Sequence, residues 1–203
     1  ILLNARITKK SFDRWNKIKK FSNSIFSLVD KAYSQNLETN YYLKKLKVKD
    51  IKSIGNLKFI ENDMLEINHS DKKLFSQFKK FKTFVAASTH NTEELFAAKT
   101  HILLKKKIKN IITIIIPRHI NRIDQIISQI NELGLNAISR RSNKKKLDNI
   151  DIYLVDTFGE SKKFYKFATT VFLGGSIIKR GGQNPLEPAR FGAKILHGPN
   201  IDN

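Results

Sequence analysis

The stretch Ile111–Pro117 reads IITIIIP and is the most hydrophobic strand-length run in the sequence. A β-branched run that is almost free of polar residues is typical of a strand buried on both faces of a sheet. Upstream, Thr83–Thr89 (TFVAAST) is a second short apolar run, and a helical pattern from Thr92 to Leu104 separates the two. This order of strand, helix and strand predicts a βαβ unit and therefore a parallel sheet.

The same alternation continues to the end of the chain. Asn121–Leu133 places isoleucines three or four residues apart, which predicts a helix that ends at Gly134. The remaining predicted elements are the strands Leu135–Ser139, Ile150–Thr157, Thr170–Gly174 and Lys194–His197, and the helices Ser161–Ala168 and from Pro185 onward. The predicted fold class is therefore α/β, with a parallel sheet and flanking helices over residues 83–203.

Residues 1–60 have a different pattern and predict a separate unit. The predicted elements are the strands begun by Ile1-Leu2-Leu3 and formed by Ile51–Phe59, and the helices Lys10–Phe21, Ile25–Gln35 and Glu38–Leu46. Residues 61–82 are mixed in charge and weak in pattern, which indicates a linker and an adjoining helix. We therefore expect the tail of one α/β domain followed by most of a second.

The composition excludes several classes of protein. The 203 residues are 40% hydrophobic, which is enough for a packed core and excludes a wholly disordered chain. Because the sequence has no Cys, it can form neither a disulfide framework nor a Cys-ligated metal site. No apolar run approaches the ~20 residues that span a bilayer. Residue 1 is Ile rather than Met, so we expect an internal fragment of a longer protein.

The charge balance predicts an anionic partner without identifying it. The sequence has 38 Lys and Arg against 18 Asp and Glu, a net charge of +20. Such an excess is typical of proteins that bind nucleic acid, an acidic membrane surface or a phosphorylated ligand. The abundance of Lys, Ile and Asn is equally typical of an AT-rich genome. Phe75, Phe78, Phe81 and Phe84 recur every three residues beside Lys, which favours core positions, and we expect no nucleic acid as partner.

In an open parallel sheet, ligands bind beyond the carboxyl ends of the strands, so the residues at those ends are the candidates for a site. Gly174-Gly175-Ser176 ends one predicted strand, and Gly181-Gly182 precedes the predicted helix at Pro185. There Asn184 is the expected N-cap, Pro185 the first helical residue and Glu187 the third. Glycines allow close approach of a ligand, and the helix start favours an anion, although a plain capped helix would need the same residues.

Three other strand ends carry polar residues. Pro117-Arg118-His119 follows the most hydrophobic strand, where the Arg could bind phosphate or carboxylate in a bidentate manner. Thr157-Phe158-Gly159-Glu160 is either a ligand-contacting turn or a capping box formed by its first and last residues. Ser88-Thr89-His90 offers hydrogen bonds, whereas Glu93 and Glu94 behind it are explained by the dipole of the following helix.

Motifs for other chemistries are missing from the sequence. It contains no G-x-x-x-x-G-K-[ST] phosphate loop, no H-E-x-x-H zinc pair and no G-x-S-x-G nucleophile elbow. Without a redox or hydrolytic signature, we expect transfer of a group from an anionic donor.

Taken together, the motifs resemble those of the 3-deoxy-D-manno-octulosonic acid (Kdo) transferases of lipopolysaccharide assembly. They occur in the family's order as Asn4-Ala5-Arg6, Gly55-Asn56-Leu57-Lys58-Phe59, Ala86-Ala87-Ser88-Thr89-His90 with Glu93-Glu94, Pro117-Arg118-His119, Asp156-Thr157 with Gly159-Glu160, Gly174-Gly175-Ser176, Gly181-Gly182 with Asn184-Pro185-Leu186-Glu187-Pro188-Ala189, and Gly198-Pro199. Gln183 and Asn200 stand where the family usually has His. So many motifs in one order make the resemblance specific.

The resemblance implies a GT-B glycosyltransferase of two Rossmann-like domains, with residues 1–60 from the acceptor-side domain and 83–203 from the donor-nucleotide domain, truncated at its end. Its reaction would move Kdo from CMP-Kdo to a lipid A precursor with inversion, and without a metal or another cofactor. The resemblance also implies a location on the cytoplasmic face of the inner membrane, peripheral or anchored. There an anionic membrane surface would be a partner of the basic chain.

The resemblance further implies which residues bind the donor. They are Pro117, Arg118, His119, Thr157, Phe158, Gly159, Gly174, Gly175, Ser176, Gly181, Gly182, Asn184, Leu186 and Glu187, with Ser88, Thr89, His90 and Glu160 in support. Arg118 and the helix start after Gly182 would offset charge on the departing CMP, and Glu187 would hold the ribose. The family's general base is a Glu expected upstream of Ile1, so we expect the fragment to bind CMP or CMP-Kdo weakly and to transfer nothing.

Two other interpretations stay open at this point. One is another GT-B transferase or an epimerase that uses a UDP-sugar. The other is a basic module that binds nucleic acid, for which steep salt dependence would be diagnostic.

Overall fold

Two parallel sheets, one in each of two structural units, form the framework of the protein. The computed structural model describes residues 1–57, 69–142 and 146–201. The chain divides into two units, Ile1–Met64 and Leu65–Asn203. Within the described residues, none of the helices combines the length and apolarity needed to cross a bilayer.

The first unit contains a parallel sheet in the order β1-β2-β3. Its strands are β1 (Leu2–Ala5), β2 (Lys31–Ser34) and β3 (Asp50–Ser53), and its helices are α1 (Lys9–Lys17), α2 (Lys19–Phe26) and α3 (Leu37–Lys45). Its core is small and centres on Ala32, Leu43 and Val48.

The helix predicted over Ile25–Gln35 is wrong, because its second half forms the central strand β2. In this strand Ala32 and Ser34 are buried while Lys31 and Tyr33 are only partly buried, which is the two-residue period of a strand. The strand pairs with a neighbour on each side, and tertiary pairing therefore overrides the local helical pattern. The helix predicted over Lys10–Phe21 is interrupted at Ile18, whose backbone leaves the helical region.

The second unit is built on a six-stranded sheet with the order β6-β7-β5-β4-β8-β9. Its strands are β4 (Lys82–Thr89), β5 (Ile111–Pro117), β6 (Ala137–Ser139), β7 (Ile152–Leu154), β8 (Thr170–Leu173) and β9 (Lys194–His197). Its helices are α4 (His69–Phe78), α5 (Glu93–Lys105), α6 (Ile123–Glu132), α7 (Ser161–Tyr165) and α8 (Leu186–Arg190), with a 3-10 turn at Ile120–Arg122 before α6.

All strand pairs of this sheet are parallel, as predicted. Every residue of β5 is buried, which confirms the prediction from Ile111–Pro117. Along β4, Phe84 and Ala86 pack into one hydrophobic cluster and Val85 and Ala87 into another, so helices cover both faces. The carboxyl ends of all six strands consequently lie at one edge of the sheet, which we call the carboxyl edge. The opposite edge is the amino edge.

Several predicted bounds extend beyond the observed elements. Regular pairing covers only Ile152–Leu154 of the strand predicted over Ile150–Thr157, and α7 ends at Tyr165 rather than at Ala168. Gly134 ends α6 with a positive φ of 74°, which confirms its predicted role. The strand predicted over Ile51–Phe59 ends at Ser53 as β3, and its last two predicted residues lie outside the described residues, as do residues 61–68 of the predicted linker.

Candidate functional site

The ends of three neighbouring strands meet at the carboxyl edge of the second unit. Strand β4 lies between β5 and β8, so the segments after these strands are adjacent. The backbone N–H of Arg118 donates to the carbonyl of Thr89 at 2.9 Å, and the N–H of Gly174 donates to the carbonyl of Ala87 at 2.8 Å. Three motifs that are far apart in the sequence are thereby joined into one surface.

Gly174 allows the end of β8 to approach the end of β4 closely. A Cβ atom at this position would lie 2.4 Å from the carbonyl oxygen of Ser88 and 2.6 Å from the Cα of Thr89. Both neighbours are backbone atoms, so no side-chain rotation could relieve the overlap. Only glycine is compatible with this spacing. Ser88 itself has a positive φ of 54°, where the strand is irregular before it ends.

The carboxylate of Glu93, at the start of α5, fixes the turn Gly174-Gly175-Ser176, which we call the glycine turn. Glu93 Oε2 accepts the backbone N–H of His90 at 2.9 Å and that of Gly175 at 2.7 Å, and Oε1 accepts the N–H of Ile177 at 3.1 Å. The residue is fully buried. The sequence alone explains Glu93 by the helix dipole, because no local pattern reveals a partner 82 residues away.

Basic side chains surround the glycine turn. The rings of His90 and His119 lie 5.5 Å apart between centroids. A Cβ on Gly175 would lie 3.5 Å from the ring of His90 and 3.4 Å from the Cβ of Arg180. Burial lowers the pKa of His90, Glu93 opposes this shift, and the charges of His119, Arg180 and Arg118 lower it further. These basic groups therefore share one electrostatic environment.

Arg118 and His119 are exposed at this edge. Among the described residues, no carboxylate forms an ion pair with Arg118, whereas Arg122 a few residues later pairs with buried Glu94 at 3.1 Å. Arg180 is not among the residues predicted from the sequence, since a basic residue in a basic chain gives no distinguishing signal.

The second glycine turn, Gly181-Gly182, is hydrogen-bonded to the first. The N–H of Gly182 donates to the carbonyl of Gly175 at 2.9 Å, and both glycines of the second turn have positive φ values, 81° and 74°. The amides of Gly174, Gly175 and Gly182 are thus used within the protein. These three amides are therefore not free to bind an anion.

Asn184 makes the capping contact predicted for it. Helix α8 spans Leu186–Arg190, and Pro185 before it already has the helical backbone angles φ −77° and ψ −12°. The side-chain oxygen of Asn184 accepts the N–H of Leu186 at 3.1 Å. Glu187 lies in the first turn of this helix. Together with burial, its charge raises the pKa of Tyr165.

The capping box predicted for Thr157 and Glu160 does not form. The hydroxyl of Thr157 donates to the carboxylate of Glu160, which also pairs with Arg140 and Lys163. The same two cations hold the fully buried Asp71 of α4. Burial alone would raise the pKa of Glu160, but hydrogen bonds from these partners lower it to about 2.

Glu160 is therefore part of an ion-pair cluster, and these ion pairs explain its presence at this position without a role in ligand binding. Phe158 and Gly159 project from the loop between strand β7 and that cluster. The ring of Phe158 is 77% exposed.

A second polar cluster occupies the amino edge of the same sheet. Buried His101 contacts the hydroxyl of Thr113 through Nδ1 at 2.9 Å and the carboxylate of Asp151 through Nε2 at 3.3 Å. Asp151 also pairs with Lys105 and accepts the N–H of Asn136 at 3.0 Å. Burial lowers the pKa of His101, although Asp151 acts in the opposite direction. All members bind one another, so this cluster is structural.

Two of the motifs meet in the first unit. The side-chain oxygen of Asn4 accepts the backbone N–H of Leu57 at 3.0 Å, and its carbonyl accepts a side-chain N–H of Gln35 at 2.9 Å. Asn4 has a positive φ of 53°, which Asn tolerates better than most residues. The end of β1 and the segment after β3 are thereby fixed to each other.

Comparison with known proteins agrees with the motifs. Residues 1–61 match the family model described as 3-deoxy-D-manno-octulosonic-acid transferase (kdotransferase). The chain is 35% identical over 201 residues to the 3-deoxy-D-manno-octulosonic acid transferase of Rickettsia prowazekii, covering 99% of this chain and 43% of that protein. The corresponding transferase of Haemophilus influenzae is 30% identical, with 48% of its length covered. The chain thus spans less than half the length of these curated relatives.

A solved structure also resembles this chain. It is the C-terminal CMP-Kdo binding domain of WaaA from Acinetobacter baumannii, with a TM-score of 0.61 and 25% sequence identity. The match covers 68% of this chain and 72% of that one. The match confirms the predicted α/β fold with a parallel sheet, which this chain shares with that domain.

Proposed function

We propose that this chain is part of a 3-deoxy-D-manno-octulosonic acid transferase and that its second unit binds CMP-Kdo at the carboxyl edge. The observation that carries the proposal is Arg118, an exposed cation without a carboxylate partner in the described part of the chain, beside the glycine turn. The similarity to Kdo transferases and to a CMP-Kdo binding domain supports the choice of donor.

The basic side chains suit the phosphate of such a donor. Arg118 can bind two phosphate oxygens at once, and His119 and His90 stand beside it on neighbouring segments. In a transfer that releases CMP, negative charge grows on the phosphate that departs with the leaving group. The fixed charge of Arg118 at that point would lower the barrier more than it stabilises the bound donor.

The donor is proposed to extend to both sides of this phosphate position. On the β7 side, exposed Phe158, with Thr157 and Gly159 beside it, is a proposed donor contact. On the other side, Glu187 is proposed to hold the ribose hydroxyls. Pro117, Ser176, Gly181, Asn184 and Leu186 stay proposed donor contacts, as do the supporting Ser88 and Thr89.

Kdo transfer to a lipid A precursor, with inversion, is our proposal for the whole protein. The net charge of +20 would favour work at an anionic membrane surface, and we propose the cytoplasmic face of the inner membrane, with peripheral or anchored attachment. This chain alone is proposed to bind the donor without transferring Kdo.

Calorimetric titration of the chain with CMP, CMP-Kdo, UMP and a UDP-sugar tests the proposal. We expect the cytidine ligands to bind with lower dissociation constants than the uridine ligands. Tighter binding of the UDP-sugar would overturn the proposal in favour of another transferase or an epimerase. Tight, steeply salt-dependent binding of generic DNA, without binding of CMP, would favour a nucleic-acid module.

A further inference from the structure

We infer that Glu93 is the positioning residue of the carboxyl edge: it touches no ligand but sets the geometry of the glycine turn and of the His90 segment. The inference rests on the proposed function, since it concerns the site at which the donor is proposed to bind. The three backbone N–H groups that donate to the Glu93 carboxylate belong to the segments that follow β4 and β8. A single carboxylate therefore joins two strand ends that are distant in the sequence.

A role in the helix dipole does not account for this arrangement. An acidic residue that only complements a helix start can remain in water, where it contributes modestly. Glu93 is instead fully buried, and both of its oxygens accept backbone N–H groups. Burial of a carboxylate is costly unless charge-assisted hydrogen bonds offset the desolvation. The three bonds are therefore the reason that the burial is tolerated.

The effect of Glu93 extends beyond its own contacts. By accepting the N–H groups of Gly175 and Ile177, it holds the backbone on both sides of the Gly175 carbonyl, which accepts the N–H of Gly182 from the second glycine turn. By fixing the N–H of His90, it holds the segment whose ring lies 3.5 Å from a Cβ position on Gly175. The basic side chains proposed to bind phosphate thus stand on a backbone that this carboxylate holds in place.

An anion beneath an anion site would repel the ligand if its charge were not compensated. Here the negative charge is met by three N–H dipoles. Glutamine at this position would provide one acceptor oxygen and an NH₂ group. At least one of the three N–H groups would then face a donor, and the turn would be displaced.

The adjacent Glu94 offers a matched control. It is also buried, but its carboxylate pairs with the guanidinium of Arg122 at 3.1 Å instead of holding the glycine turn. We compare Glu93→Gln with Glu94→Gln by calorimetric titration with CMP and by thermal unfolding. We expect Glu93→Gln to weaken CMP binding about tenfold or more and Glu94→Gln to change it by less than about twofold, even where both lower the melting temperature equally. Equal losses of affinity would overturn the inference.

A second measurement on the unaltered chain keeps the inference testable if Glu93→Gln does not fold. In amide hydrogen exchange followed by NMR, we expect Gly175 and Ile177 to be strongly protected, since their N–H groups donate to a buried carboxylate. Exchange at the rate of exposed amides would overturn the inference. If the unaltered chain does not bind CMP but these amides are protected, the proposed function fails while the positioning by Glu93 stands.

Discussion

The two edges of the six-stranded sheet use the same kinds of side chain in opposite ways. At the amino edge, His101, Thr113, Asp151 and Lys105 are satisfied by one another. At the carboxyl edge, His90, His119 and Arg118 gather around the glycine turn, and the buried carboxylate there is used by backbone N–H groups. Paired polar groups contribute to the stability of the fold, whereas the guanidinium of Arg118, which pairs with no carboxylate among the described residues, is available to an anionic ligand.

The difference shows that a cluster of titratable residues does not by itself mark a site. The amino-edge cluster contains a hydroxyl, an imidazole and a carboxylate in hydrogen-bond contact, yet it is closed to solvent. The ion-pair cluster of Asp71, Arg140, Glu160 and Lys163 is similarly complete. The distinguishing property of the candidate site is exposed Arg118, which forms an ion pair with no carboxylate in the described part of the chain.

The largest effect is expected from Gly174→Ala, which would break the carboxyl edge. The new Cβ would lie 2.4 Å from the carbonyl oxygen of Ser88, so the strand ends must separate. We expect the free energy of unfolding to fall by about 3 kcal/mol in urea titration, with loss of CMP binding. Gly192→Ala is the control, since Gly192 lies outside the proposed donor contacts and, although its φ is positive at 76°, no atom lies within 4 Å of its Cβ position. It should cost only about 1 kcal/mol.

His101→Ala tests the amino edge. Removing the imidazole leaves a cavity and takes a partner from Thr113 and Asp151, so we expect the free energy of unfolding to fall by about 2 kcal/mol. CMP affinity of the folded protein should be unchanged, because the change lies at the opposite edge. His197→Ala, at an exposed position, should alter stability by less than about 0.5 kcal/mol. Weaker CMP binding in His101→Ala would contradict the separation of roles between the edges.

Arg118→Ala should produce the reverse pattern. Loss of a charged hydrogen-bonding partner should weaken CMP binding about tenfold in calorimetry, while the free energy of unfolding changes by less than about 0.5 kcal/mol. Arg141→Ala removes an equally exposed Arg, on the segment after β6, and should leave CMP affinity intact. Equal weakening by the two variants would mean that CMP responds to net charge rather than to a site.

The smallest effect concerns the pH dependence of stability and tests buried His101 of the amino edge. Burial lowers the pKa of His101 below its usual value of 6.5, so the folded chain binds fewer protons than the unfolded chain. Its contribution to stability is therefore complete above about pH 6.5 and is lost as the pH falls through the lowered pKa. Urea titrations at pH 7.5 and 5.5 should show a smaller decrease in His101→Ala than in the unaltered chain. An identical decrease would contradict a buried, neutral His101.

The sequence predicts the elements whose burial is set by local pattern. Ile111–Pro117 is apolar throughout because it is covered on both faces, and its bounds agree with β5 to the residue. Strand β9 at Lys194–His197 also agrees with its predicted bounds. Strand β2 was missed because its identity depends on pairing with two neighbours rather than on its own residues.

The candidate site divides in the same way. The sequence locates the polar residues at the strand ends, since a parallel sheet brings those ends to one edge. It does not reveal that Gly175 N–H is taken by Glu93, or that Glu160 belongs to an ion-pair cluster with Arg140. Those assignments depend on contacts between distant segments, for which a single sequence has no periodic or spacing signal.

The strand order has one more consequence, for assembly. Strand β4 pairs on one side with β5, which follows it after a single helix, and on the other with β8, in the register Phe84↔Thr170. The carboxyl edge therefore includes the boundary between β4 and β8. Strand β5 joins β4 after a single helix, whereas β8 can pair with β4 only after a long intervening segment has closed. A ligand that contacts the ends of both β4 and β8 would stabilise their pairing, and its binding energy would oppose their separation.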